Sequence, residues 1–222
     1  KRKIQVGHTT VVPQFAKTFP NSIILNLEKK GDRSFFEDFE DVKTIVEAIL
    51  VSKNLAPTDL SSTLLFLDEI QESPKAIQLL RYFYEEIPEM PVIAAGSLLE
   101  FALKEVKSFP VGRVEFLYLY PMNFPEYIEA IGQKAALVQF NQVPIKPFAH
   151  KVLMDLFHRF AIIGGMPEVI NTDLTKNNLA DLPPIYDSIG SPYKSDIEKY
   201  TTNDTELEII RHLINSAHLF LD

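Results

Sequence analysis

Three short, mostly apolar segments constrain the fold of this chain more than any other feature. Each is followed directly by a small or acidic residue, and none is long enough to read as a buried helix. Continuous apolar runs of this length are typical of strands covered on both faces, as in a parallel sheet. The three segments are residues 23–27 (IILNL), 64–67 (LLFL) and 92–95 (VIAA).

Helical patterns lie between these segments. In residues 42–51 and 76–87, apolar side chains recur at spacings that place them on one helix face. Strands that alternate with helices of this length indicate βαβ units and an α/β fold with a mostly parallel sheet. Residues 114–120 (VEFLYLY) are predicted to form a further strand.

The character of the chain changes near Pro121. We predict an α/β core in residues 1–121 and a helical portion in residues 122–222. Within the helical portion, Pro167 is well placed to open a helix at its first position, and the polar residues 171–178 are predicted to form a loop. Helical patterns cover residues 124–131, 148–163 and 206–221.

Composition excludes several classes of protein. The chain has a net charge of −8, which argues against a broad basic surface for nucleic acid. It has no cysteines, which rules out disulfides and thiolate sites and fits a cytoplasmic protein. No apolar run approaches the roughly 20 residues that cross a bilayer, and no signal peptide is visible, so no membrane partner is expected. Because the chain starts at Lys1, we expect N-terminal sequence to be missing.

The strongest chemical motif is the pair of carboxylates at the end of the second apolar segment. Asp68 and Glu69 follow residues 64–67 directly. A P-loop ATPase needs this arrangement, because the Asp holds the magnesium shell and the Glu polarises the attacking water. A strand that simply meets solvent at an acidic pair is the alternative.

A glycine and hydroxyl residues upstream resemble a phosphate-binding loop. In the pattern G-x-x-x-x-G-K-[ST], the second glycine aligns with Gly7 and the hydroxyl residue, a magnesium ligand, with Thr9. Arg2 stands in place of the first glycine and His8 in place of the lysine. The strand expected before the loop is absent from the sequence, and Pro13 is expected to distort the helix that follows. An ordinary start of a helix is the alternative.

Two further residues are candidates for the same site. Ser97 follows the third apolar segment, where it could bond the γ-phosphate or the attacking water, or simply cap the next helix. Arg113 could stabilise charge on the transferring phosphoryl group, in cis or across a subunit interface, or form a surface salt bridge.

Together these motifs resemble the bacterial and archaeal AAA-type ATPases that pair an N-terminal ATPase domain with a C-terminal domain of unknown function. The resemblance extends from Arg2 to about Tyr200. It is carried by residues 2–10 (RKIQVGHTT), 68–71 (DEIQ), 96–100 (GSLLE), 109–114 (FPVGRV), 119–121 (LYP), 164–169 (GGMPEV) and 193–200 (YKSDIEKY).

The resemblance implies a P-loop NTPase-type core that binds ATP and magnesium, with possible homo-oligomers. Gly7, His8, Thr9 and Thr10 would face the phosphates. Asp68 and Thr9 would hold the metal, while Glu69, Ser97 and Arg113 would serve hydrolysis. Two hypotheses follow from the residues that differ from the loop pattern: an ATPase weakened by its altered loop, or a degenerate, non-hydrolysing ATPase-like interaction module.

Overall fold

The computed structural model of the chain describes residues 8–56, 60–96, 112–200 and 203–216. The chain divides into two compact units, one formed by residues 8–118 and the other containing the residues from 119 onwards. The first unit has α/β structure and the second is helical. The assignment of residues 1–121 to an ATPase core and of residues 122–222 to a helical portion remains a prediction.

A parallel sheet forms the centre of the α/β unit. Its strand order is β1-β2-β3, so each strand lies beside its neighbour in the sequence. The helices between the strands are the crossovers that parallel pairing requires. The predicted α/β fold with a parallel sheet and flanking helices is confirmed. In chain order the elements are α1 (His8–Ala16), β1 (Asn21–Asn26), α2 (Lys30–Asp38), α3 (Val42–Ser52), β2 (Thr63–Asp68), α4 (Pro74–Glu86) and β3 (Val92–Ala95), with 3-10 turns at Leu60–Ser62 and Ile70–Glu72.

The central strand β2 is buried along its whole length. Successive side chains of a strand point to opposite faces of the sheet. Leu65 and Leu67 belong to the core cluster that β1 and helices α2 to α4 complete. Leu64 and Phe66 point to the other face and are equally buried. A strand covered on both faces explains why the sequence shows an apolar run here instead of an alternating pattern.

Side-chain caps fix where two of the helices begin. Thr44 N donates to Asp41 Oδ2 at 2.8 Å at the start of α3, and Ala76 N donates to Ser73 Oγ at 3.2 Å at the start of α4. Both caps satisfy backbone donors that a helix leaves unpaired in its first turn. Helix α1 continues past Pro13, so this proline does not end the helix.

The prediction of a strand at residues 114–120 was wrong. This segment belongs to no strand, and most of it is exposed, with Leu117 at 92%. A strand needs a hydrogen-bonded neighbour, and the described sheet ends at β3. Apolar and aromatic residues favour strands, but without pairing that preference does not form one.

Six helices are described in the second unit. The first five of them contribute side chains to one cluster, whose buried residues include Ile128, Leu153 and Ile170. The helices are α5 (Phe124–Ala130), α6 (Lys134–Phe140), α7 (Pro147–Ile163), α8 (Pro167–Lys176), α9 (Pro183–Tyr200) and α10 (Asp204–Ser216), with a 3-10 turn at Leu179–Asp181.

A tight turn of two glycines joins α7 to α8. Gly164 ends α7 with a φ of 70°, a backbone conformation that residues with a Cβ rarely adopt. Gly165 lies against the backbone of Met122, whose N–H donates to the Gly165 carbonyl at 2.8 Å. Pro167 opens α8 in its first turn, as predicted.

The predicted loop at residues 171–178 was also wrong, because α8 continues to Lys176. Polar composition suggested a loop, but one of these polar residues is part of the core. Asp173 is buried and accepts hydrogen bonds from Nε and Nη2 of Arg159 on α7. A buried carboxylate is usually paired with a positively charged side chain, as Asp173 is here. The helix ends at Asn177, which has a left-handed backbone.

This ion pair lies beside a buried tyrosine. Burial raises the pKa of Tyr127, and the negative charge of Asp173 raises it further, while Arg159 acts in the opposite direction. A phenol with a raised pKa in the folded state holds its proton more tightly there than in the unfolded chain. Its contribution to stability is therefore complete below about pH 10 and is lost as the pH rises above that value.

We expect Tyr127→Phe to reduce the loss of stability of this unit as the pH rises above about 10. Urea unfolding followed by circular dichroism at a series of pH values measures the effect. Tyr84→Phe, which alters an exposed tyrosine of α4, is the matched control and should leave the pH dependence unchanged. Parallel curves for the natural chain and Tyr127→Phe would contradict the expectation.

Candidate functional site

The carboxyl ends of the three strands lie side by side at one edge of the sheet. Asn26 on β1 is in register with Asp68 on β2, and Asp68 is in register with Ala95 on β3. Leu27 N extends the pairing by donating to the Asp68 carbonyl at 2.9 Å. In open α/β sheets, ligands bind outside this edge, so it is the first place to seek a site.

Two adjacent carboxylates lie at the centre of this edge. Asp68 is 9% exposed and Glu69 is 1% exposed. Glu69 has φ 58° and ψ 48°, a left-handed conformation that is uncommon for a residue with a long side chain. Burying two carboxylates and holding one of them in a strained backbone both oppose folding. Strain of this kind is concentrated at functional sites.

The side chain of Gln71 bridges from Glu69 towards the end of β3. Its Nε2 donates to Glu69 Oε2 at 2.5 Å. Its Oε1 is buried and accepts no hydrogen bond from the described residues. A Cβ placed on Gly96 would lie 2.3 Å from this oxygen, so a side chain at position 96 would displace the amide.

The structure describes only some of the residues that were predicted to hold the phosphates. Helix α1 is described from His8 onwards and includes Thr9. Thr10 lies in the first turn of α1 and is exposed. Gly7 and Ser97 lie outside the described residues. Their roles stay predictions.

Arg113 lies beside helix α4. Its Nε donates to Glu85 Oε1 at 3.1 Å, and Arg81 Nε donates to the same oxygen at 2.9 Å. The hydrogen bond from Arg81 lowers the pKa of Glu85 most, and Arg113 lowers it further. The first turn of α4, at Pro74, follows Glu69 closely in the sequence. Glu85 is eleven residues further along the helix, a rise of about 16 Å. Glu85 therefore holds Arg113 near the opposite end of α4.

The acidic pair fits magnesium in the type and number of its ligands. Magnesium prefers oxygen ligands, and it is usually bound through one or two carboxylates, waters and substrate phosphates. Asp68 and Glu69 supply two carboxylates at the sheet edge. Across the described ranges, no group of three or more His, Asp or Glu residues could hold a metal. A site completed by phosphate oxygens therefore suits this edge better than an all-protein metal cage.

Sequence reasoning missed the contributions of Asn26 and Gln71. Asn26 Oδ1 accepts from Glu28 N at 3.0 Å, which shapes the turn after β1 beside Asp68. Gln71 was noted only as part of a motif. Its contact with Glu69 depends on the 3-10 turn at Ile70–Glu72, which no spacing in the sequence reveals.

Comparison with known families identifies the α/β unit. A family model described as an AAA domain matches residues 4–128, more than half of the 222-residue chain. The chain belongs to this family. The matched AAA domain is of a nucleotide-binding type, and the match includes Asp68, Glu69, Gln71 and Gly96. No curated protein and no solved structure matches the chain.

Length and apolar character together decide whether a helix can cross a bilayer. Of the helices that the structure describes, none meets both requirements.

Proposed function

We propose that this AAA domain binds ATP with magnesium at the carboxyl edge of its sheet and hydrolyses it slowly. The observation that carries the proposal is the acidic pair, two buried carboxylates at the end of a buried strand, with Glu69 in a left-handed conformation. A carboxylate held rigidly and out of bulk water is suited to act as a general base.

Each carboxylate has a separate role in this proposal. Asp68 would hold the magnesium shell, with the hydroxyl of Thr9 as a second ligand. Bound magnesium would neutralise charge on the phosphate oxygens. Glu69 accepts the proton of the attacking water and so makes that water a better nucleophile.

The remaining candidates would act on the phosphates. Gly7, His8 and Thr10 would contact them from the start of α1, where a helix N-terminus favours an anion. Ser97, which follows β3 in the sequence, would donate a hydrogen bond to the γ-phosphate. Because Glu85 holds Arg113 at the far end of α4, we propose that Arg113 acts on the nucleotide of a neighbouring subunit in a homo-oligomer.

Slow turnover follows from the altered loop. A lysine brings a permanent positive charge on a long side chain to the β- and γ-phosphates, whereas a histidine is shorter and only partly charged near neutral pH. His8 and Arg2 therefore weaken the hold on the phosphates. The same two residues support the second candidate function, a non-hydrolysing ATPase-like module that serves protein interaction.

Calorimetry with ATP tests the proposed site. We expect the natural chain to bind ATP weakly and only with magnesium. We expect the variant Arg2→Gly, His8→Lys to bind about ten- to a hundredfold more tightly, because a charged hydrogen bond to phosphate contributes about 1.5–3 kcal/mol.

Two control variants separate the site from a general charge effect. His150→Lys makes the same substitution as His8→Lys at an exposed position of α7 and should leave binding unchanged. Asp68→Asn should abolish the magnesium-dependent binding of ATP. Absence of ATP binding by both the natural chain and the loop variant would refute the proposed site.

A further inference from the structure

The side chain of Gln71 connects two parts of the site that are far apart in the sequence. At one end, its Nε2 donates to Glu69 Oε2 at 2.5 Å. At the other end, its Oε1 lies against Gly96, the last described residue before Ser97. A single amide group therefore touches both the carboxylate that follows β2 and the backbone that follows β3.

Stability alone does not explain a glutamine at this position. The bond to Glu69 is favourable, because a charged acceptor strengthens a hydrogen bond. However, Gln71 Oε1 is buried and receives no hydrogen bond from the described residues, which opposes folding. The reverse orientation of the amide is excluded, because it would turn this oxygen towards a carboxylate oxygen of Glu69.

We propose that Gln71 is a positioning residue that fixes the Glu69 carboxylate, and that Gly96 sets the position of Gln71. The function of this pair rests on the role proposed above for Glu69 as the base in hydrolysis. A glutamate side chain has three rotatable bonds, and the bond from Gln71 selects one arrangement of them. Contact with Gly96 in turn prevents the amide from shifting towards β3.

This arrangement makes the end of β3 a control point for Glu69. A displacement of the Gly96 backbone moves the amide of Gln71, and the amide moves the carboxylate. Because a general base must lie within hydrogen-bond reach of its water, a small shift here has a large effect on rate. In the sequence, Gly96 directly precedes Ser97, the residue proposed above to hydrogen-bond the γ-phosphate.

Carbon-13 NMR of the full chain tests the proposal without relying on hydrolysis. Glutamate labelled with carbon-13 at the side-chain carboxyl carbon gives a signal for Glu69. The signal is assigned to Glu69 because it disappears in Glu69→Gln. We expect Gln71→Ala and Gly96→Ala each to move this signal. In the double variant Gly96→Ala, Gln71→Ala, we expect the signal to stay where Gln71→Ala alone places it, because the added methyl group then has no amide to displace.

Two results would overturn the inference. One is a Glu69 signal that stays in place in Gly96→Ala. The other is a signal that Gly96→Ala moves equally with and without Gln71. Should Gly96→Ala fail to fold, Gln71→Asn takes its place, since it withdraws the amide by one methylene without adding volume. An unmoved signal in Gln71→Asn would equally overturn the proposal.

Hydrolysis kinetics then test the functional part. We expect Gln71→Ala to lower kcat by about ten- to a hundredfold while the KM for ATP changes by less than about threefold, as for a group that acts only on the reacting water. A KM effect without a kcat effect would overturn the positioning role. Absence of hydrolysis in the natural chain would refute the role of Glu69 instead, and the NMR result would still decide the contact between Gln71 and Gly96.

Discussion

Replacing Glu69 by glutamine is expected to lower the rate constant of ATP hydrolysis by about 10²- to 10⁴-fold, the contribution typical of a general base. Glutamine has the same shape but cannot accept the proton of the attacking water. Because the phosphates are held by other residues, we expect ATP binding to change by less than about threefold. Single-turnover hydrolysis and calorimetry on the same preparations measure the two quantities.

Glu72→Gln is the matched control for this variant. Glu72 ends the 3-10 turn that follows Glu69, but its side chain is exposed. The substitution makes the same change in charge three residues away and should leave hydrolysis within about twofold of the natural rate. Equal rates in the natural chain and Glu69→Gln would exclude Glu69 as the base, and equal losses in both variants would point to charge alone.

The second large effect is expected in the helical unit. A Cβ on Gly165 would lie 2.0 Å from the Met122 carbonyl oxygen and 2.9 Å from Met122 C and N. These are backbone atoms, so no side chain can rotate to make room. Met122 N also donates a hydrogen bond to the Gly165 carbonyl, which holds the two segments together. We expect Gly165→Ala to lower the free energy of unfolding by about 3 kcal/mol, the upper part of the range for overpacking.

Gly190→Ala should act in the opposite direction. Gly190 lies inside α9, and a Cβ placed there meets no atom within 4 Å. Alanine in a helix interior is favoured over glycine by about 0.5–1 kcal/mol, so this variant should be slightly more stable. Urea unfolding followed by circular dichroism measures both variants. A Gly165→Ala protein as stable as the natural chain would contradict the close approach to Met122.

The sequence predicted the sheet well because the pattern depends on burial. Residues 64–67 and 92–95 were expected as strands and lie in β2 and β3. Helices 42–51 and 76–87 were found with ends shifted by no more than two residues, since their caps and apolar faces are local. The family could be inferred because several motifs occur in the expected order along the chain. A single strand ending in Asp-Glu would not have been enough for that inference.

The predictions that were wrong concern segments whose structure depends on distant partners. Residues 114–120 have the composition of a strand, but a strand forms only when another strand pairs with it. Residues 171–178 have the composition of a loop, but Asp173 is stabilised in a helix by Arg159 on another helix. Similarly, no local rule predicts that Gln71 reaches Glu69 or that its amide lies against Gly96.

The left-handed backbone of Glu69 bears on which residues suit this position. A left-handed conformation costs a residue with a Cβ about 1–2 kcal/mol, a penalty that glycine does not pay and that asparagine often reduces. The backbone at position 69 therefore favours glycine or asparagine over the glutamate that stands there, so backbone preference does not account for this residue.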